Sequence, residues 1–309
     1  MEDNRVATWS RIGEDVADCR NVGQVLKWAG LDYKVEQRPL FVGEAWESEQ
    51  GTIEIPNRYV TVRTTDNHPY DVVSDQYHII QNEDAFDFVN YMSDEVTFVR
   101  AGETASGMVF IIASLPSVNI LGDKFTPYVI FRNGFTGKIT TSAAICPLRV
   151  VCQNQFNFAF KNTQNSISIR HVSNAEIKME EARETLRLSA DYMVRVNEIA
   201  EGYAGIKLTG NEMKWALDAM FPIDGIEEMN PFKRKSLIEA RNKFMTAYEA
   251  DDNYNFRGTA WGMINAYTDF ITHKEPAGKR DDRFEGKFIQ TAFKPSMNKI
   301  IEVIDAIAA

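Results

Sequence analysis

Cysteine and histidine are scarce in this sequence, and their spacing argues against the sites that these residues build. Three cysteines and four histidines occur among 309 residues, and none of them shows the spacing of a zinc ligand set. An odd number of cysteines without paired spacing also argues against a disulfide framework and favours a reducing compartment such as the cytoplasm. We therefore expect no metal site and no cofactor.

Long apolar runs and catalytic signatures are also missing. No run of about eighteen apolar residues occurs, which argues against a membrane-spanning helix, and the N-terminal stretch lacks the apolar core of a secretion signal. The P-loop, the dinucleotide-binding glycine motif, H-E-x-x-H and G-x-S-x-G are all absent. These absences predict a protein that is not an enzyme and does not bind membranes.

Carboxylates are absent from one segment of an otherwise acidic chain. The net charge is −10, yet residues 124–175 contain no Asp and no Glu. The segment's cations are Lys124, Arg132, Lys138, Arg149, Lys161 and Arg170. Cations without competing carboxylates are typical of a polyanion-binding groove, although a β-rich stretch also loses acids through propensity alone.

Residues 147–162, PLRVVCQNQFNFAFKN, contain polar side chains at intervals of four, namely Arg149, Gln153, Asn157 and Lys161. In a helix this spacing places them on one stripe, and Pro147 suits the first helical position. We predict a mostly buried helix over 147–162 that exposes this stripe, with Arg170 and His171 on the next strand as further donors. Such donors bind phosphates, sugars or base edges; the alternative is a solvated face or a stripe that caps neighbouring loops.

Two further features have competing interpretations. Four aromatic residues in the strands of the basic segment are either stacking platforms for bases or core residues; they are Phe125, Tyr128, Phe131 and Phe135. Cys152, near the start of the predicted helix, is either a thiol nucleophile activated by His171 or a buried structural thiol.

The pattern of apolar residues predicts an α+β fold, in which an antiparallel β-meander packs against helices and a mostly helical C-terminal region follows. Strands are expected near 31–38, 58–65, 71–80, 96–103, 107–115, 127–133, 138–145 and 166–172. Helices are expected within 8–30 and at 82–92, 211–220, 232–250, 258–273 and 296–308, with a helix of nearly thirty residues from Ser173. Gly43–Pro56 is expected to be a connection. We divide the chain into an N-terminal helical and strand element (1–50), an α+β core (51–172) and a helical region (173–309).

Several of these segments resemble the phage/plasmid-like proteins of domain-of-unknown-function family 932. The similarity lies in AICPLRVVCQNQFNFAF and the later SIRHVSNAE. The residues that match the family pattern are Pro147, Arg149, Val150, Val151, Cys152, Gln153, Asn154, Arg170 and His171. Further similarity is found in AGLDYKVEQRPLF, VVSDQYHIIQNEDAFDFV, FVRAGETASG and GTAWGMINAYTDFITH, so that it spans nearly the whole chain.

The resemblance implies a phage or plasmid product that acts in the cytoplasm of a bacterial host. The predicted order of elements is also similar, at the level of fold, to the annealase-like core of single-strand annealing recombinases. That similarity implies single-stranded DNA as the partner, a homo-oligomer that forms a ring or filament, and a phage or host replication or recombination protein as a further candidate partner. The expected DNA-binding residues are Lys124, Arg132, Lys138, Arg149, Gln153, Asn157, Lys161, Arg170 and His171. The alternative is a non-enzymatic phage protein that binds a host or phage protein to regulate it.

Overall fold

A computed structural model shows two antiparallel sheets followed by a group of helices. It describes residues 12–43, 53–92, 95–149, 154–155, 166–168, 175–273 and 298–308. The fold class is α+β with a mostly helical C-terminal region, as the sequence predicts.

The N-terminal part contributes a two-residue strand and a short helix. The strand β1 (Glu14–Asp15) lies at the edge of the larger sheet, and the helix α1 spans Val22–Trp28. The side chain of Asn21 caps α1 by accepting a hydrogen bond from the backbone N–H of Gln24 at 2.9 Å. The buried residues of α1 are Val22, Val25 and Leu26, which follow the spacing of one helical face.

The smaller sheet has three strands in the order β2–β3–β4. They span Val35–Val42 (β2), Ile53–Arg63 (β3) and Pro69–Ser74 (β4). β2 pairs with both ends of β3, whereas β4 pairs only with residues 58–62 of β3. The end of β2 and the start of β3 therefore form a two-stranded extension beyond β4.

The larger sheet has eight strands, and helix α2 (Asn82–Phe86) with the 3-10 helix Asp87–Met92 leads into it. Its further strands are β5 (Thr97–Glu103), β6 (Met108–Ser114), β7 (Val118–Ile120), β8 (Asp123–Gly134), β9 (Ser142–Arg149), β10 (Asn154–Gln155) and β11 (Ser166–Ser168). The main path is β1–β5–β6–β8–β9–β10, with β7 paired to β8 and β11 paired to β9. All of these pairs are antiparallel, which confirms the predicted meander.

In the part of the chain that the structure describes, five helices follow the sheets. They are α3 (Ala175–Gly205), α4 (Gly210–Met220), α5 (Pro231–Tyr248), α6 (Ala260–His273) and α7 (Asn298–Ala308), with 3-10 helices at Ile226–Glu228 and Asp251–Phe256. Thr209 and Glu212 form a capping box at the start of α4. Asn230 caps α5, whose first residue is a proline. The predicted long helix and the four predicted helices after it are confirmed.

Helix α3 packs into two hydrophobic cores. The first core lies between α1, α2 and one face of the larger sheet, and it includes Ala182 of α3. The second core is formed mainly by the helices, and it includes Tyr192, Met193 and Val196 of α3. A smaller cluster on the opposite face of the sheet contains Phe110, Ile130 and Cys146. With 31 residues, α3 is about 46 Å long, which is enough to connect the sheet to the helical region.

The helix predicted over residues 147–162 is wrong where the structure describes it. Residues 147–149 end strand β9, and residues 154–155 form strand β10. The proline that suggested a helix start lies opposite Pro127 of β8 in the ladder, a position where neither strand needs a backbone N–H. The eight residues of β9 are all buried, and such a run is typical of a central strand.

The predicted connection at Gly43–Pro56 is also wrong in part, because Ile53–Pro56 already belong to β3. The predicted helix over 82–92 is confirmed, with its second half wound as a 3-10 helix. The strand predicted near 166–172 is confirmed over Ser166–Ser168.

Candidate nucleic-acid interface

Four of the predicted DNA-binding residues lie in the part of the chain that the structure describes. They are Lys124, Arg132, Lys138 and Arg149. The remaining predicted residues lie outside it, namely Gln153, Asn157, Lys161, Arg170 and His171, as does Cys152. Lys124 and Arg132 lie on β8, eight residues apart, which corresponds to about 26 Å along a strand. The described cations therefore do not converge on one groove.

Arg149 is an internal residue, and its predicted place on an exposed helical stripe is wrong. Its side chain is 1% exposed, and its Nε donates to Asp123 Oδ2 at 2.8 Å. Its Nη2 donates to the backbone oxygen of Asp252 at 2.7 Å, and its guanidinium lies 5.9 Å from the centre of the Phe256 ring. A buried guanidinium needs such partners, and these contacts connect β9 to the 3-10 helix before α6.

Two further cations of the basic segment, Arg132 and Lys138, are also engaged by neighbouring residues. Arg132 is partly buried, burial lowers its pKa, and its Nε donates to Ser142 Oγ at 2.7 Å. Lys138 is exposed and its Nζ lies 2.7 Å from Asp71 Oδ2, which lowers the pKa of Asp71. Lys124 is different, because it is exposed and makes no ion pair within the described residues.

The three phenylalanines among the four candidate stacking residues are core residues and not platforms for bases. Phe125, Phe131 and Phe135 are at most 1% exposed, and Phe131 packs edge to face against Phe88 at 5.5 Å between ring centres. Tyr128 is partly buried, and burial raises its pKa. A buried ring cannot stack on a base. Of the two alternatives that the sequence left open, the structure therefore favours core residues.

A second cationic surface lies on α5, which sequence analysis did not single out. The helix contains one carboxylate, Glu239, and five cations, namely Lys233, Arg234, Lys235, Arg241 and Lys243. Arg241 is held by Asp218 of α4 at 2.7 Å, and Lys235 Nζ lies 3.9 Å from Glu239. Lys233 and Lys243 are exposed and make no ion pair within the described residues. Two lysines are therefore available for a partner, and Lys235 is only weakly engaged.

An exposed aromatic ring accompanies these lysines. Phe232 is 85% exposed, more than any other large apolar residue that the structure describes. In the helix Phe232, Ser236, Glu239 and Lys243 follow the spacing of one face. Interleaved aromatic and cationic side chains suit a single strand, because rings stack on bases while lysines bind phosphates. The run FKRK at 232–235 is the sequence signal that would have indicated this surface.

A polar cluster connects the two sheets. Glu103 of β5 accepts a hydrogen bond from Tyr33 at 2.8 Å and pairs with Arg63 at 2.8 Å, and Tyr70 donates to Tyr33 at 3.1 Å. Burial raises the pKa of Tyr33 to about 12, and the hydrogen bonds from Arg63 lower the pKa of Asp66 to about 2. Each charged group of this cluster is paired with another, so the cluster has a structural role and holds the two sheets together.

Two further kinds of feature, metal-ligand clusters and membrane-spanning helices, are absent from the described residues. No group of three or more His, Cys, Asp or Glu side chains there is arranged to hold a metal ion. None of the described helices combines the length and the apolar character needed to cross a bilayer. Cys146, in β9, is fully buried.

The fold and the exposed face of α5 define an α+β protein with a candidate binding surface on its helical part. The chain belongs to the family described as Domain of unknown function (DUF932), whose family model matches residues 69–292. This range begins at β4 and includes strands β5–β11 and helices α2–α6. No curated protein and no solved structure matches the chain significantly.

Proposed function

We propose that this protein is a phage- or plasmid-encoded protein that binds and anneals single-stranded DNA in recombination or replication, acting as an oligomer in the cytoplasm of a bacterial host. The observation that carries the proposal is the first turns of α5, where Phe232 is 85% exposed and Lys233 and Lys235 are exposed close to it in sequence. The order of an antiparallel sheet and a long helix supports it by analogy with annealing recombinases.

Binding on this face would be tolerant of sequence and sensitive to salt. A lysine ammonium binds a phosphate as a point charge, and each phosphate contact on a single strand contributes about 0.7 to the slope of log affinity against log salt. The ring of Phe232 has no base preference, since every base offers a π-face. The acidic remainder of the chain would repel DNA elsewhere on the surface.

The test is fluorescence anisotropy with a labelled oligonucleotide, titrated at several salt concentrations. We expect Lys233→Ala and Lys243→Ala each to weaken binding and to reduce the salt slope by about 0.7. The matched control is Lys214→Ala on α4, an exposed lysine without an ion pair within the described residues, which should change neither quantity. Absence of binding at about 50 mM salt would contradict the proposal.

The carboxylates before α5 give an independent test, because their removal should strengthen DNA binding whereas removal of the lysines should weaken it. Glu227 and Glu228 lie in the 3-10 helix that precedes α5, and the Glu227 carbonyl is 3.5 Å from Arg234 Nη2. Their charges repel a phosphate held by the lysines at 233 and 235. We therefore expect Glu227→Gln combined with Glu228→Gln to strengthen DNA binding. Weaker or unchanged binding would place the contact elsewhere on the protein.

A further inference from the structure

The two-stranded extension of the smaller sheet exposes apolar side chains. We call residues 39–42 of β2 and 53–57 of β3 the arm. Within it Phe41 is 53% exposed, Val42 is 55% exposed and Ile53 is 69% exposed. Val42 and Ile53 lie directly opposite each other in the ladder. Val42 and Ile53 share one face of this ribbon and Phe41 lies on the other, so each face exposes large apolar side chains that indicate a contact surface.

An apolar groove lies elsewhere on the same chain. It has a volume of about 680 Å³, and it is lined by Leu115, Pro116 and residues 118–120, by Pro127 and by one face of α3 from Leu186 to Glu198. Val118 and Val194 are exposed on its walls. Ser189 is one of the lining residues, and its buried hydroxyl has no hydrogen-bond partner, which is unusual for a buried polar group.

The smaller sheet contacts the larger sheet at the end opposite to the groove. The smaller sheet is held at one end, where Thr61 Oγ1 donates to the Phe135 carbonyl at 2.7 Å and Tyr33 donates to Glu103. The groove lies at the other end, next to Leu115 and Pro127. From residue 127 to residue 135 the chain spans about 26 Å as a strand. Because the smaller sheet is anchored away from the groove, the occupant that we assign to the groove is the arm of another copy.

The charges around the two surfaces are complementary. Glu95 lines the groove, and Lys124 lies opposite Asn119, another groove residue, in the ladder of β7 and β8. The arm carries Glu54 near its tip and Arg58 at its base. All four side chains are exposed and make no ion pair within the described residues. Each surface therefore offers one free carboxylate and one free cation to the other.

We propose that the arm of one copy of this chain lies in the groove of the next copy. The apolar side chains of the arm would fill the groove, and its backbone would supply a partner for the Ser189 hydroxyl. Because the arm and the groove are different surfaces, the contact is heterologous, and repetition produces a closed ring or an open filament. The inference rests on the oligomeric part of the proposed function and does not depend on DNA.

The test measures mass in solution by light scattering on purified full-length protein without nucleic acid, at increasing concentrations. Ile53→Glu changes the arm and Val194→Glu changes the groove, and both positions are exposed, so folding should survive. We expect each variant alone to be monomeric and the wild type to form larger species. Trp28→Glu, at a third exposed apolar position, is the matched control and should assemble as the wild type does.

Mixing the two variants is the decisive measurement. A head-to-tail contact leaves one intact arm and one intact groove in the mixture, so heterodimers should form and growth should stop there. If two arms contacted each other instead, Val194→Glu would still self-associate on its own and Ile53→Glu would not, and that result, or a mixture that stays monomeric, would overturn the proposal. A wild type that stays monomeric at all concentrations would overturn it too. Circular dichroism checks folding, and Val118→Glu replaces Val194→Glu if the latter unfolds.

A charge exchange tests the orientation of the contact. Glu95→Arg and Arg58→Glu should each weaken assembly, and a mixture of the two should recover it in part. Anisotropy on a short oligonucleotide, measured on the monomeric Ile53→Glu variant, reports DNA binding separately. Loss of assembly with retained DNA binding, or the reverse, therefore shows which of the two proposals has failed.

Discussion

Arg149 and Asp252 form a buried contact between the end of β9 and the 3-10 helix that precedes α6. The guanidinium donates to the backbone oxygen of Asp252 at 2.7 Å and lies 3.6 Å from its carboxylate, although 103 positions separate the two residues. The same guanidinium holds Asp123 at the start of β8. One cation thus connects the sheet to the helical region.

We predict that Arg149→Ala destabilises the fold. The substitution leaves the carboxylates of Asp123 and Asp252 close together without their cation, and breaking a buried pair in this way costs about 3–5 kcal/mol. Chemical denaturation followed by circular dichroism measures the change in the free energy of unfolding.

Lys138→Ala is the matched control for this prediction. Its partner is a single carboxylate, Asp71, and the lysine side chain is 80% exposed, so the change should cost less than about 1 kcal/mol. Equal effects of the two substitutions would mean that the Arg149 contacts contribute no more to stability than a surface ion pair.

Local patterns predicted most of the fold. The apolar residues of VTFVRAGE and GMVFIIASL predicted strands that the structure confirms as β5 and β6, and the long helix predicted from Ser173 corresponds to α3. The helix prediction for residues 147–162 was wrong because polar residues at intervals of four are compatible with a helix as well as with a strand. The pairing of β9 with β8 decides in favour of the strand. This pairing joins residues that are distant in sequence, so the local pattern does not contain it.

The candidate site was harder to predict than the fold. The basic segment was identified by its missing carboxylates, but its counter-charges lie outside it in sequence: Asp71 binds Lys138 and Asp252 binds Arg149. Such pairs depend on tertiary structure. The lysines of α5 were overlooked for a related reason, since acidic residues shortly before them lower the average charge of that region.

Gly262 in α6 is predicted to tolerate no larger residue. A Cβ atom there would lie well inside contact distance of the Phe256 carbonyl oxygen and 2.8 Å from its carbonyl carbon. Gly262→Ala should therefore destabilise the protein by about 1–3 kcal/mol. Gly202→Ala in α3 is the control, because nothing lies within 4 Å of the added atom, and it should stabilise the helix by about 0.5–1 kcal/mol. Thermal unfolding of both variants shows whether each substitution raises or lowers the stability.

Tyr33 is predicted to make the fold sensitive to alkali. Its pKa is raised by burial from 10.0 to about 12, so the folded state keeps a proton that the unfolded chain loses. Between about pH 10 and pH 12 the free energy of unfolding should fall as pH rises, by up to about 1.4 kcal/mol per pH unit. Tyr33→Phe removes this contribution, and its unfolding free energy should decline less steeply than that of the wild type.

The exposed Tyr254→Phe is the control for the alkaline measurement, since this tyrosine is 68% exposed and its substitution should leave the decline as it is. Tyr70, whose pKa burial also raises, continues to contribute in both variants. Parallel slopes for the wild type and Tyr33→Phe would contradict the assignment of a buried, neutral Tyr33.

Phe232→Ala is predicted to weaken DNA binding by about 1–3 kcal/mol, the contribution of one base stacked on an aromatic ring. The salt slope should stay constant, because no charge is removed. Trp215→Ala on α4, also an exposed aromatic residue, should have no effect on affinity. Equal losses from both substitutions in the anisotropy titration would show that stacking is not confined to α5.

Helix α3 makes the two main cores depend on each other during unfolding. Ala182 belongs to the core beside the sheet, and Tyr192 belongs to the core of the helices, only ten residues further along the same helix. Melting of either core removes contacts that hold α3 in place, and the other core also packs on α3. A form in which only one core is unfolded is therefore not stable. The chain should therefore lose both cores in one cooperative transition, and the slowest amide hydrogens of β6 and α6 should exchange with the same protection free energy.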